Sequence, residues 1–243
     1  MNNEQPPVTL VTGASKGIGR ACAELLAARG QRVVGLARNP VSDFPGDFYC
    51  VDLAERAALD ELLQTLCAQY PFSGLVNNAG AVGAQAIGEI DLATVDAVFQ
   101  VNLGAAIQCV QHCARTMTNR GGGRIVNISS ELALGLPTRT AYGGAKAALI
   151  SMTRTWALEL ARASITVNAI APGPVNTDFF RANNPEGGAE WERKLNRIPL
   201  GRFAEPDDIA RSIAFFLGED AGYITGQTLF VDGGSSLASA ALF

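Results

Sequence analysis

The sequence predicts an α/β fold: a single domain in which about seven parallel strands form a doubly wound sheet with helices on both faces. Three observations carry that prediction. Short apolar runs alternate with stretches of helical periodicity along nearly the whole chain. A glycine-rich turn, TGASKGIG, separates the first apolar run from the first helical stretch. No linker rich in Gly, Ser or Pro and no internal repeat divides the 243 residues, so one domain spans 1–243.

VTLVTG, residues 8–13, is the first strand, a β-branched run closed by glycine. ASKGIGRACAELLAARG follows with apolar residues at helical spacing, and Gly30 ends it. RVVGLA, residues 32–37, is the second strand, so the chain opens β-α-β. The next link, NPVSDFPGDF, is too short and too rich in Pro, Gly and Asp for a helix and is read as a loop. Further strands are expected near 47–51, 73–77, 124–129, 164–170 and 228–231, with helices near 55–69, 91–118, 140–162 and 206–217. Parallel strands need crossovers, and this alternation supplies them.

With 48% hydrophobic and 17% charged residues, the chain can fill a large core. A net charge of -4 and the lack of any basic run argue against nucleic acid as a partner. The start, MNNEQPPVTL, does not read as a secretory signal. No apolar stretch comes near a membrane span, the best candidate being interrupted by Asn77, Asn78, Gln85 and Glu89. The expectation is a soluble, cytoplasmic protein without a membrane partner. Five cysteines without a C-x-x-C suggest neither a disulfide framework nor a zinc site, and no metal is expected; Cys109 and Cys113, a helical turn apart, either share a ligand or are free core thiols.

In the glycine turn, Gly13, Gly17 and Gly19 let the backbone approach a pyrophosphate, while the helix N–H groups and dipole face the anion. Turns and tight packing also use glycine, but the position between first strand and first helix favours a Rossmann-type dinucleotide site. In such sites an acidic residue about 20 positions on binds the ribose hydroxyls of NAD, whereas an arginine accommodates the extra phosphate of NADP. Here the second strand ends LARN, with Ala37 in the acidic position and Arg38 after it; Lys16 adds a second positive charge. A phosphate dianion there meets a guanidinium and an ammonium. The alternative is that both are solvated surface residues. The expected cofactor is NADP (NADPH), with NAD less favoured.

In TRTAYGGAKAAL, Tyr142 and Lys146 stand four apart, on one helical face. Reduction of a carbonyl leaves an alkoxide that needs a proton, and a free phenol, with pKa about 10, is a weak donor. A neighbouring ammonium favours the phenolate and is expected to lower that pKa. RIVNISS brings Ser129 and Ser130 to the carboxyl end of a strand, where doubly wound sheets bind ligands.

The spacing T-G-x-x-x-G-x-G, NNAG at 77–80, Tyr142-x-x-x-Lys146, PGPVNT at 172–177 and VDGG at 231–234 together resemble the short-chain dehydrogenase/reductase family, from about residue 8 to residue 234. The resemblance implies hydride transfer between a nicotinamide and a carbonyl or secondary alcohol. Tyr142 would be the proton donor in reduction and the base in oxidation, and Lys146 would tune it and bind the nicotinamide ribose. Ser130 would hydrogen-bond the substrate oxygen as charge develops. Asn102, in QVNL, would hold a water relay to the lysine. Implied cofactor contacts are Ser15 and Ile18 in the turn, Asp52 and Leu53 near the adenine, Asn78, Ala79 and Gly80 beside the adenine ribose, and Pro172, Gly173, Val175 and Thr177 towards the carboxamide. The VDGG region implies subunit contacts and a homotetramer. Some alternatives stay open: Asp52 as cap of the helix near Glu55, Asn102 as a buried polar residue bonded to backbone, and Ser129 in place of Ser130. The last arises because Ser130 lies one residue closer to its tyrosine than in many family members.

Residues 178–200 are expected to form a substrate lid, with Phe179, Phe180 and Trp191 either walling it or packing on the core. The nearest general resemblance is to 3-oxoacyl-carrier-protein reductases and carbonyl reductases. Arg120 and Arg162 sit where such reductases offer charge to an acyl carrier protein, unless they are simply solvated. The short loop after the second strand resembles members acting on small ketones, sugars or cyclic diols. Two readings compete: a catabolic alcohol or dihydrodiol dehydrogenase using the same site in reverse, and a nucleotide-sensing regulator, which would have lost Tyr142 or Lys146. A serine hydrolase would need a histidine, and His112 is the sole one.

Overall fold

The computed structural model describes residues 6–237. Seven strands form one all-parallel sheet: β1 Val8–Thr12, β2 Arg32–Ala37, β3 Asp47–Cys50, β4 Gly74–Asn77, β5 Gly123–Ile128, β6 Ile165–Pro172 and β7 Thr228–Val231. Their order across the sheet is β3-β2-β1-β4-β5-β6-β7. From β1 the chain winds outward in one direction to β3 and then returns to β4 on the other side. The winding therefore reverses between β1 and β4, opening a crevice beyond their carboxyl ends. Central strands buried on both faces read as continuous apolar runs, and all eight residues of β6 are buried.

Helices cover both faces. On one, α1 (Gly17–Ala28) packs with α8 (Pro206–Leu217) through Cys22, Leu26, Ile209, Ile213 and Phe216. On the other, α2 (Arg56–Gln69) and α4 (Ala105–Arg120) meet the sheet through Leu59, Leu63, Leu66, Cys109 and Met117, joined by Ala157 of α5 (Thr140–Leu160). The link between β2 and β3 forms no helix; Phe44 instead fills the space under Gly35, where a Cβ would lie 2.5 Å from the ring.

Two expectations need correction. The single helix expected near 91–118 is divided into α3 (Leu92–Phe99) and α4 by a π-helical turn at Gln100–Gly104. Asn102 causes this locally: its Nδ2 donates to the Val98 carbonyl at 2.8 Å, competing with the backbone amide that an α-helix would send there. In addition, Leu92–Arg120 is, by length and composition, long and apolar enough to cross a membrane, contrary to the sequence reading. In the fold, its Val98, Leu103, Cys109, Val110, Cys113 and Met117 pack into the core.

Candidate active site

The glycine turn is built to leave backbone exposed. Gly13 and Gly17 have φ of 66° and 57°, where side chains are strained. A Cβ on Gly19 would lie 2.3 Å from the Gly13 carbonyl, and one on Gly13 would lie 2.9 Å from the Ala79 Cα. Thr12 ties this turn to the end of β4, its Oγ1 accepting from the backbone N–H of Asn78 and of Ala79, each at 3.0 Å. Asn78 reciprocates, donating from Nδ2 to the carbonyls of Thr12 and Gly13 at 2.9 and 3.2 Å. No side chain caps the N-terminus of α1. Its amides are thus left for an anion.

Across the turn, the N–H of Ala14 donates to the carbonyl of Leu36 at 3.2 Å, joining the turn to the end of β2. Lys16 and Arg38 follow this junction by two residues on each side. Both are exposed, and neither makes a side-chain hydrogen bond or ion pair among the described residues. On the remaining side, Gly17 faces Thr177, where a Cβ would lie 3.2 Å from the threonine methyl. Thr177 caps α6 (Asp178–Asn183) and follows a turn in which Gly173 donates to Val231 at 3.1 Å and Val175 is buried.

The second cluster lies at the carboxyl end of β5. Ser129 is spent on structure: its hydroxyl donates to the carbonyl of Lys146 at 2.8 Å, pinning α5 to the strand. Ser130 accepts from the Leu132 N–H at 3.1 Å, which leaves its own proton to offer. Lys146 is 3% exposed and donates from Nζ to the Ile128 carbonyl at 2.8 Å, with Nζ 5.6 Å from the centroid of the Tyr142 ring. Burial pushes this ammonium down to about 8. The Asn102 Oδ1 is buried without a partner, while its Nδ2 donates to Ala81 and Val98. Gly80 shows where the two meet: a Cβ there would lie 3.0 Å from Asn102 Oδ1 and 3.5 Å from Lys146 Nζ. A water in reach of both would satisfy the orphaned acceptor.

Burial holds the Tyr142 phenol above its usual value, opposed by the Ser130 hydroxyl and the Arg139 charge. The Lys146 ammonium is turned to the Ile128 carbonyl, 5.6 Å from the centroid of the tyrosine ring.

Residues 13–236 match a family model described as enoyl-(acyl carrier protein) reductase. The chain belongs to the short-chain dehydrogenase/reductase family. As such it is an oxidoreductase of carbonyl and alcohol substrates using an NAD(P) cofactor. The (2S)-[(R)-hydroxy(phenyl)methyl]succinyl-CoA dehydrogenase subunit BbsD of Thauera aromatica is 38% identical over 245 residues, covering 96% of this chain and 98% of that protein. The L-xylulose reductase of Bos taurus is 40% identical over 240 residues, covering 93% and 94%. Among solved structures, the aldohexose dehydrogenase of Thermoplasma acidophilum in ligand-free form aligns with a TM-score of 0.91 at 28% identity, covering 98% of this chain and 97% of that one.

Within this short-chain dehydrogenase/reductase, the other site residues named from sequence fall as follows. Ser15 and Ile18 stay in the turn, and Pro172 ends β6. Asp52 does not cap α2, whose N-cap is Glu55; its exposed carboxylate accepts from the Ala54 N–H at 3.0 Å. Leu53 is buried and lines, with Asn77 and Asn102, a cavity of about 10 Å³. Residues 178–200, expected as a lid, hold α6 and α7 (Ala189–Leu195), and the aromatics there pack together: Trp191 and Phe180 lie 4.6 and 4.9 Å from the Phe203 ring. The Phe179 side chain lies outside what is described. His112 bonds Asp60 at 2.8 Å, between α4 and α2, so it gives Ser130 no base. Cys109 and Cys113 are buried free thiols, and no metal-binding group occurs among the described residues. Sequence reading counted Thr12 in the glycine motif without giving it a role; its bonds to Asn78 and Ala79 supply one.

Proposed function

We propose that this short-chain dehydrogenase/reductase is an NADPH-dependent ketone reductase, running in reverse as a secondary-alcohol dehydrogenase, with Tyr142 as its acid and base. The observation that carries the cofactor preference is the corner where the glycine turn joins β2. It presents Lys16 and Arg38 without carboxylate partners among the described residues, with Ala37 where an acidic side chain would repel a phosphate. The turn is suited to a dinucleotide: Gly13 and Gly19 pack it against Ala79 and against its own Gly13 carbonyl, and the α1 amides it leads into carry no side-chain cap.

Bound there, the nicotinamide supplies or takes the hydride. The α1 amides would hold the pyrophosphate, and Lys16 and Arg38 would hold the ribose phosphate. Ser130 donates its free proton to the substrate oxygen as that oxygen gains charge. Tyr142 passes its proton to the same oxygen. Lys146, with a pKa of about 8, titrates close to working pH and is suited to return a proton through a water held at Asn102 Oδ1. Small ketones or sugars are the favoured substrates, supported by the helix-free link between β2 and β3. A 3-oxoacyl group on an acyl carrier protein ranks second, supported by the exposed Arg120 and Arg162. A homotetramer would cover the exposed Leu158, Tyr223 and Leu229.

The test is titration with NADPH and NADH, followed by nicotinamide fluorescence, on wild type and Arg38→Asp. NADPH is expected to bind at least about tenfold more tightly than NADH, with that preference lost in the variant, as charge-assisted bonds to phosphate are worth about 1.5–3 kcal/mol. Equal binding, or preference for NADH, would overturn the cofactor assignment.

A further inference from the structure

We propose that Arg139 is an anion-recognising subsite of this active site, and that the preferred substrate is a ketone bearing a carboxylate near the reacting carbonyl, or the matching hydroxy acid. This rests on the reductase reading above and narrows its substrate. Arg139 immediately precedes α5, so Arg139, Tyr142 and Lys146 follow one another at spacings of three and four along one helical face. Side chains at a helix start lean towards its N-terminus, which brings the phenol of Tyr142 over the turn that carries Arg139. The guanidinium is near enough to act on the Tyr142 phenolate as a positive charge.

The segment that carries Arg139 is fixed. Gln85 pairs with Arg139 in an isolated parallel bridge, and the Gln85 N–H donates to the Thr138 carbonyl at 3.0 Å. Thr138 is held at φ 65°, a left-handed conformation costly for a β-branched residue and typical of functional loops. The Arg139 carbonyl accepts from Gly143 at 2.7 Å, starting the helix.

What this geometry positions is a cation without an anion. Arg139 is partly buried, makes no ion pair among the described residues, and has as its only side-chain bond there a donation to the Thr138 hydroxyl at 3.4 Å. Of the carboxylates on the adjoining segments, Glu89 is exposed and makes no ion pair with Arg139 among the described residues, and the two others are bonded elsewhere. Glu131 accepts from the Ser235 hydroxyl, and Asp91 accepts from Ala93 and Thr94 at the start of α3. Lys146 donates to the Ile128 carbonyl. A guanidinium presents paired donors that match a carboxylate. In the forward reaction the carbonyl carbon gains the hydride of NADPH, its oxygen gains the proton of Tyr142, and the carboxylate is left unchanged.

The experiment compares kcat/KM with NADPH for short 2-oxo, 3-oxo and 4-oxo carboxylates and for their methyl esters, on wild type, Arg139→Gln and Arg139→Lys. Dihydroxyacetone phosphate and dihydroxyacetone form a second pair. Wild type is expected to prefer at least one acid over its ester by about tenfold or more, mainly through KM. That ratio is expected to collapse in Arg139→Gln and to return in part in Arg139→Lys. If the ratio is near one in wild type, or is unchanged in Arg139→Gln, the subsite is overturned. If the variant loses acid and ester alike and its pH profile shifts, Arg139 acts only on Tyr142, and the proposal fails. A preference confined to the phosphate pair would overturn the carboxylate. Reduction of neutral ketones without any acid advantage sinks this inference alone, whereas no reduction of any ketone with either nicotinamide sinks the reductase reading and this inference with it.

Discussion

Ser129 and Ser130 are chemically identical neighbours, and only their partners separate them. Ser129 is buried and bonded to the backbone of α5, whereas Ser130 keeps its proton and 8% of its surface. Sequence could not decide between them, because the deciding bond runs from Ser129 to Lys146, seventeen residues on. Tyr142 and Lys146 were legible because their relation is local, a helical spacing and nothing more. The burial that raises the phenol was not, since it depends on what the rest of the fold packs around the ring. Substitution should separate the two serines. Ser130→Ala is expected to fold with a loss of about 1 kcal/mol, the usual cost of the cap it gives to Leu132, and to lose about 10²–10³ in kcat, the usual cost of one donor to a developing oxyanion. Ser129→Ala is expected to lose about 1–3 kcal/mol of stability, because the Lys146 carbonyl is left without this donor. Chemical denaturation and initial rates on the two variants measure both effects. A Ser130→Ala enzyme as fast as wild type would move the role elsewhere.

At the scale of elements, the strands and most helices were readable because each is a run of one periodicity between glycines or prolines. The exceptions share a cause. The π-helical turn arises from Asn102 reaching Ala81 and Val98 at once, and the former is a contact from outside the helix. The helices α6 and α7 cohere through Phe180, Trp191 and Phe203, and Phe203 lies beyond the segment read from sequence as a lid. The glycine turn was legible as a motif, but the separate work of each glycine was not. Gly17 answers to its own φ and Gly19 to the Gly13 carbonyl. Gly19→Ala must therefore move the turn itself. The expected result is at least about tenfold weaker NADPH binding with a stability loss of about 1–3 kcal/mol, the usual cost of overpacking. Isothermal titration and denaturant unfolding would show it. Unchanged binding would mean that this turn does not hold the cofactor.

For the whole molecule, the consequential feature is that the proposed cofactor touches elements that the sheet holds apart. The cradle draws on the ends of β1, β2 and β4, and the Thr177 turn after β6 closes it at Gly17. The reversal of strand order that opens this crevice was implied by the alternation of elements, but the order itself is a tertiary fact. A ligand bridging these segments stabilises all of them together, because both core layers rest on one continuous sheet. Binding to the folded state alone at about one hundred times Kd adds about 2.7 kcal/mol. In a chain of this length that corresponds to a rise of about 5–10 °C in melting temperature. NADPH is therefore expected to raise a single unfolding transition by that amount, with NADH at the same concentration raising it less. Differential scanning calorimetry distinguishes the outcomes. A shift confined to one of two transitions would mean that the cradle unfolds apart from the rest of the sheet, and equal shifts from the two nucleotides would mean that Lys16 and Arg38 do not read the ribose phosphate.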